Sequence, residues 1–282
     1  MHSDAATPMN LWKTGRQVYQ SCFQCAHLAS LPLMSLARDC VTAELPLHLL
    51  LERRELSCGG CGGADILLTS VALTDDADNL LLYRFPYPVG KLMEAENICL
   101  ELSSKSVYIP YGRDGRDAAR RCHWVDLKAQ PQQLAVLPEV AAADEASDRF
   151  GGKRAFSRLL RQVNACQSLV TSGCSWESSF YGGSVLTYGY VDVGLQPLDL
   201  SCMRDIRQFG ERVFRLLRDG LSPGVRYLLT IKLAIFEQRP VFILDAEAVA
   251  AGCDEERSFL LWELALAALE AGLTFDKEME IG

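Results

Sequence analysis

The chain has 282 residues, 49% hydrophobic and 23% charged, with a formal net charge of −8. That length holds two domains or one large one, and the composition is that of a globular protein rather than a fibrous or disordered one. No apolar run approaches the roughly 20 residues that span a bilayer, and the opening M-H-S-D-A-A-T-P-M-N lacks the basic and apolar regions of a secretory signal. In chain order, Leu11 to Leu31 reads as a helix stopped before Pro32, and 45–56 is apolar and then charged. Asp65 to Leu73 is a buried strand, T-D-D-A-D-N (74–79) a turn, and Leu80 to Phe85 a returning strand. Asn97 to Leu102 and Ser106 to Tyr111 read as a second hairpin joined by S-S-K. G-R-D-G-R-D (112–117) is a loop, and Cys122 to Leu127 one more strand.

Two prolines, an alanine-rich acidic run and a Gly-Gly pair make 129–152 a connector. The division is 1–135 for a first α+β domain, 136–152 for the connector and 153–282 for a second domain. Beyond it, Lys153 to Val163 is a helix. Strands are expected at Ser168 to Thr171, Glu177 to Tyr181 and Val185 to Val193, then a helix over Cys202 to Asp219. Tyr227 to Phe236 and Val241 to Leu244 form a hairpin around E-Q-R-P. Phe259 to Leu269 is a helix by composition and a strand by its place at the end of a meander.

Those two helices carry the clearest pattern. On a wheel of 3.6 residues per turn, Met203, Ile206, Phe209, Val213, Phe214, Leu216 and Leu217 share one side of the later helix. Arg204, Arg207, Arg215 and Arg218 share the other, with Glu211. In the earlier helix Phe156, Leu159, Leu160 and Val163 oppose Arg154, Arg158 and Arg161. Arginines gathered on two helix faces of an acidic chain fit either a local polyanion site or plain solvated surface.

Eleven cysteines, an odd number without an export signal, point to reduced thiols in the nucleus or cytosol. Cys22-x-x-Cys25 and Cys58-x-x-Cys61 are two pairs of the spacing that gives zinc four thiolates, with Cys40 or His27 as substitute ligands. Buried free thiols are the other reading. His2, His27, His48 and His123 form no metalloprotease pattern, and there is no P-loop, dinucleotide fingerprint or nucleophile elbow. No catalytic residue is assigned, and an enzyme is not expected.

R-R-C-H-W-V-D-L-K-A-Q-P-Q-Q-L-A-V (120–136), R-A-F-S-R-L-L-R-Q-V (154–163), L-D-L-S-C-M-R-D-I-R-Q-F-G-E-R-V-F (198–214) and L-T-I-K-L-A-I-F-E-Q-R-P-V-F-I-L (229–244) together resemble the sliding DNA clamps of the proliferating-cell-nuclear-antigen (PCNA) family, and within it the Rad-nine-type subunit of the DNA-damage checkpoint clamp. The resemblance spans roughly 120–270 and leaves 1–110 outside it. It implies a PCNA-like α/β (α+β) architecture with helices on one face of antiparallel sheets and S-F-L-L-W-E-L-A (258–265) as a closing strand. It also implies a nuclear, non-catalytic subunit of a hetero-oligomeric ring around double-stranded DNA, acting in checkpoint signalling and repair. Arg154, Arg158, Arg161, Arg204, Arg207, Arg215 and Arg218 would face that DNA. The alternative function is a zinc-stabilised interaction or regulatory protein, nuclear or cytoplasmic, with no DNA role and with Cys22, Cys25, Cys58 and Cys61 as ligands.

Overall fold

The computed structural model describes residues 6–275 apart from Phe23, Ala26, Cys40, Arg54, Asp65, 73–80, 84–89, 110–126, 199–200, Leu221 and 237–238. Helix α1 (Pro8–Lys13) starts where Thr7 Oγ1 accepts the Asn10 N–H at 3.2 Å and Pro8 occupies the first turn, whose N–H groups have no helical partner. Gly15 then turns the chain at φ +64°, which would cost a residue with a Cβ roughly 1–2 kcal/mol. Strands β1 (Arg16–Cys22) and β2 (Leu28–Ser30) follow as a hairpin, so the long helix expected over Leu11 to Leu31 does not form. The reason is tertiary: β1 pairs residue by residue with β3 (Ile66–Ala72), from Arg16↔Ala72 to Cys22↔Ile66. Helices α2 (Leu33–Arg38) and α3 (Leu47–Glu52) complete this unit. Strand β4 (Leu81–Tyr83) runs antiparallel to β3, as expected of that pair; the turn at 74–79 lies outside the described residues. The sheet order is β2-β1-β3-β4.

The hairpin expected around S-S-K is instead one continuous strand, β6 (Ile98–Ile109), and its partner is β5 (Gly90–Ala95) across a turn at Glu96-Asn97. The three residues S-S-K coincide with a register shift between Leu102 and Ser106 rather than a turn. Nothing in that tripeptide favours the positive φ of a tight hairpin. The expected loop at 112–117 and the strand over Cys122 to Leu127, with His123, lie outside the described residues except for Leu127, which is buried in a turn.

The segment read as a connector is helical. A 3-10 turn (Pro131–Val136) leads into α4 (Pro138–Phe150), which buries Val140, Ala143 and Ser147 and ends at Gly151 in the left-handed conformation. Helix α5 (Ala155–Ala165) is where the sequence placed it. The two strands expected between 168 and 181 are one, β7 (Leu169–Tyr181), bulged between Thr171 and Gly173, and it pairs with β8 (Ser184–Leu195). Helix α6 (Met203–Arg218) and the hairpin of β9 (Val225–Phe236) and β10 (Arg239–Gly252) follow the expected order. The last element is a helix, α7 (Glu255–Leu273), not the closing strand of a clamp domain. Asp254 caps it by accepting the Arg257 N–H at 2.7 Å, and its Ala, Leu and Glu content favours helix.

The second sheet runs β5-β6-β9-β10-β8-β7. All its pairings are antiparallel except β6 with β9, which is parallel. This sheet therefore crosses the division expected at 136–152, because β5 and β6 come from before it. Alternation along the strands puts Leu100, Val191, Val193, Leu229, Ile231, Leu244 and Ala246 on one face, where they pack with Phe156, Leu160, Ile206, Val213, Trp262 and Leu269 of α5, α6 and α7. The molecule is thus a mixed α/β protein, and in its larger unit α4 to α7 gather on one face of a mixed sheet. Leu67 of β3 joins this core, while its neighbours Ile66 and Leu68 belong to the core of the first unit. A strand buried on both faces explains the unbroken apolar run I-L-L.

Candidate metal centre and charged surfaces

Four cysteines converge where two tight turns of the first unit meet. One turn joins β1 to β2 and is closed by the Cys22 N–H on the His27 carbonyl at 2.9 Å. The other spans 58–63, closed by the Cys58 N–H on the Gly63 carbonyl and the Gly62 N–H on the Cys58 carbonyl, both at 2.8 Å. Gly60 sits against the His27 ring, 3.2 Å from where its Cβ would be, so the two turns approach as closely as glycine permits. The Sγ atoms of Cys22, Cys25, Cys58 and Cys61 all lie within 4.8 Å of one another. Cys22 is 3.6 Å from Cys61, and Cys25 is 3.5 Å from Cys58. Zinc bound tetrahedrally by thiolates holds its sulfurs about 3.8 Å apart, close to those spacings.

The thiols are not equivalent. Burial, with the neighbouring thiols, pushes Cys22 up to about 12 against the pull of the Cys25 and Gln24 N–H groups. Cys58 is also desolvated, but the backbone N–H groups of Cys61 and Gly60 and the Cys25 thiol bring it down to about 6. The Gly60 N–H donates to its sulfur at 3.3 Å. A group of thiols in which one ionises readily, with backbone N–H groups aimed at sulfur, has the donor chemistry of a cation site. His27 is exposed and packs on the glycines rather than joining the four sulfurs, and Cys40 lies outside the described residues.

No protein-family model, curated protein or solved structure matches the chain.

The arginines singled out from the sequence lie on the outer faces of α5 and α6, except Arg154, which precedes α5 in the left-handed conformation at φ +50°, and most have carboxylate partners. Arg154 grips Asp148 with two hydrogen bonds, at 2.9 and 2.6 Å. Arg158 pairs with Glu270 of α7 at 2.7 Å. Arg204 meets Asp205, Arg207 and Arg215 share Glu211, and Arg218 meets Asp219, at 2.9 to 3.3 Å. Arg161 is exposed. Helix α7 comes between the two arginine helices: Glu270 pairs with α5, while Gly272 packs on Val213 and Leu217 of α6. Leu216, placed on the apolar stripe by the wheel, is 38% exposed, and Gly210 is buried in its stead, close to Leu100 and Leu244.

A charged group that sequence reasoning missed lies on the sheet face away from the helices. Asp192 of β8 and Asp245 of β10 are paired across the ladder and buried, and Lys232 of β9 makes an ion pair with Asp245 and lies over the Tyr190 ring. Burial first, and then the charge of Asp245, push Asp192 up to about 8; burial also raises Asp245 despite Lys232. The signal available was an ionisable residue at the centre of each apolar strand run, V-D-V, I-K-L and L-D-A. Among the described residues no helix is long and apolar enough to cross a membrane.

Proposed function

We propose that this chain is a zinc-stabilised interaction protein, non-catalytic, in which a four-cysteine metal centre folds the first unit and fixes it against the larger α/β unit. What carries the reading is the convergence of Cys22, Cys25, Cys58 and Cys61 from two turns brought together by β1 and β3. Two further features support a structural role for the metal. The ligand set is all thiolate, the closed kind that leaves no open position for substrate. The first unit also has short elements around it, three helices of six residues each, and a smaller hydrophobic core than the larger unit. Elemental analysis of protein purified without added metal should find stoichiometric zinc, and chelation should unfold the first unit. Protein that is metal-free and melts unchanged in chelator would overturn the proposal.

The checkpoint-clamp reading is the second one. The arginines exposed along α6 favour it; the carboxylates paired to them and the helix between α5 and α6 weigh against it. Binding to duplex DNA across a salt series separates the two, because a clamp-like arginine face loses affinity steeply as salt rises. We expect no such binding.

A further inference from the structure

The four sheet edges differ in how well they are protected. In the first sheet the edge strands β2 and β4 have three residues each, too short to template much pairing. In the second sheet one edge, β5, is short, bulged between Lys91 and Met93, and carries the exposed Lys91–Glu94 ion pair. These are the usual devices against edge-to-edge association. The other edge, β7, has thirteen residues.

The start of β7 is covered. Lys128 Nζ donates to the Leu169 carbonyl at 2.7 Å, and the Thr171 N–H donates to Asn164 Oδ1 at 3.2 Å. Past the bulge, from Cys174 to Tyr181, the edge has no proline and no lysine, and its one charged residue is Glu177. Among the described residues no strand pairs with it. It runs out to Phe180 and Tyr181, each 74% exposed, at the tip of the β7–β8 hairpin. On the helix side the Trp176 indole N–H donates to the Glu139 carbonyl of α4 at 2.9 Å, but among the described residues the backbone edge itself is unpaired, and a long unpaired edge ending in exposed aromatics is the pattern of a pairing surface.

We propose that this edge is an interface between two copies of the chain, joined as antiparallel β7 strands about a two-fold axis at Ser178. The register follows from hydrogen-bond parity. Gly182 and Gly183, at φ +58° and +86°, make a two-residue turn, so Tyr181 and Ser184 exchange hydrogen bonds across it. Counting back from there, Ser179, Glu177 and Ser175 point their N–H and C=O groups at β8, while Phe180, Ser178, Trp176 and Cys174 point theirs outward. An axis at Ser178 sets Trp176 opposite the partner copy's Phe180, and Ser178 opposite its counterpart, with about six new backbone hydrogen bonds. Directly opposed residues share a sheet face, so the exposed Phe180 ring lands beside Trp176, which already stacks on Trp262 at 5.6 Å. Glu177 falls opposite Ser179 rather than opposite itself. An axis at Glu177 would oppose two carboxylates, and an axis at Trp176 would draw the Ser172–Gly173 bulge into the ladder. The pairing closes on itself, giving a dimer rather than a ring or filament.

The test is sedimentation of the full zinc-loaded chain from about 1 µM to about 100 µM, a range that brackets a micromolar association. Wild type should be a dimer at the upper end. Ser178→Pro removes a donor that points away from β8, and Ser178→Glu sets two carboxylates face to face; both should be monomers with unchanged circular dichroism and zinc content, while Ser178→Ala, which loses only the hydroxyl's bond to Thr187 Oγ1 at 2.8 Å, should stay dimeric. Glu177→Lys should stay dimeric, because Glu177 lies opposite Ser179; loss of the dimer there would place two like charges opposite each other and overturn the register. A monomeric wild type, or a dimer indifferent to both Ser178→Pro and Ser178→Glu, overturns the proposal.

Discussion

The two units of this protein are built on opposite principles. The larger one, from β5 to α7, encloses Phe156, Trp262, Phe242, Phe259 and a row of leucines and valines between four helices and a sheet. The first unit has Leu11, Val18, Leu47, Leu50 and Leu68 beneath helices of a turn and a half, with four thiols gathered at one end. Apolar area sustains the first architecture, at about 25 cal/mol per Å² removed from water. In the second, the proposed zinc would add to a smaller core, since a site that exists only in the folded state contributes its binding free energy to folding.

That contrast can be broken from either side. The largest effect should come from Cys58→Ala: zinc is lost and the first unit unfolds, while the near-ultraviolet circular dichroism of the packed Trp176–Trp262 pair persists. Loss of both signals together would mean the units are not separable. Next, Trp262→Ala should cost about 3–5 kcal/mol, read as a shift in the denaturant midpoint of the larger unit, because it empties the centre of a cluster of four rings.

A smaller effect is expected at Glu263. Its buried carboxylate accepts the Ala155 N–H at 3.0 Å and the Ser147 hydroxyl at 2.8 Å, holding the start of α5. Glu263→Ala strands those donors and should cost about 2–3 kcal/mol, while Glu263→Gln should cost less. The last effect, set apart by its dependence on pH, concerns Asp192. Its folded value near 8 lies above its unfolded value, so the folded state holds a proton that the unfolded chain releases. Stability from this group is present in full below about pH 4 and is lost as pH rises toward 8. Asp192→Asn should remove that decline, leaving the variant's advantage over wild type growing with pH in urea titrations.

Legibility from sequence followed the range of the interactions. Helices α5 and α6 were readable because a 3.6-residue apolar stripe is a local pattern that the sheet only had to accept. The C-x-x-C pairs announced ligands, but their convergence depended on β1 lying beside β3, which the C-F-Q-C segment, read as helix, did not suggest. Residues 136–152 misled for a related reason. Prolines and alanines that look like a connector also suit a helix starting at Pro138, and only packing decides. A wheel sets the arginines opposite the apolar stripe, yet it cannot show that Arg154 precedes the helix or that the acids answering these arginines include Asp148 and Glu270 on other helices.

The parallel pairing of β6 with β9 has a consequence for the making of the chain. Ile98 must find Tyr227, and Ile109 must find Phe236. On a ribosome, β6 emerges long before residue 225 exists, so at 5–20 residues per second its outer edge waits on the order of ten seconds for its neighbour. The elements from α4 to α7, by contrast, are made in one stretch and pair with one another. During that interval the nascent β5–β6 hairpin has one edge without the neighbour it pairs with in the folded protein.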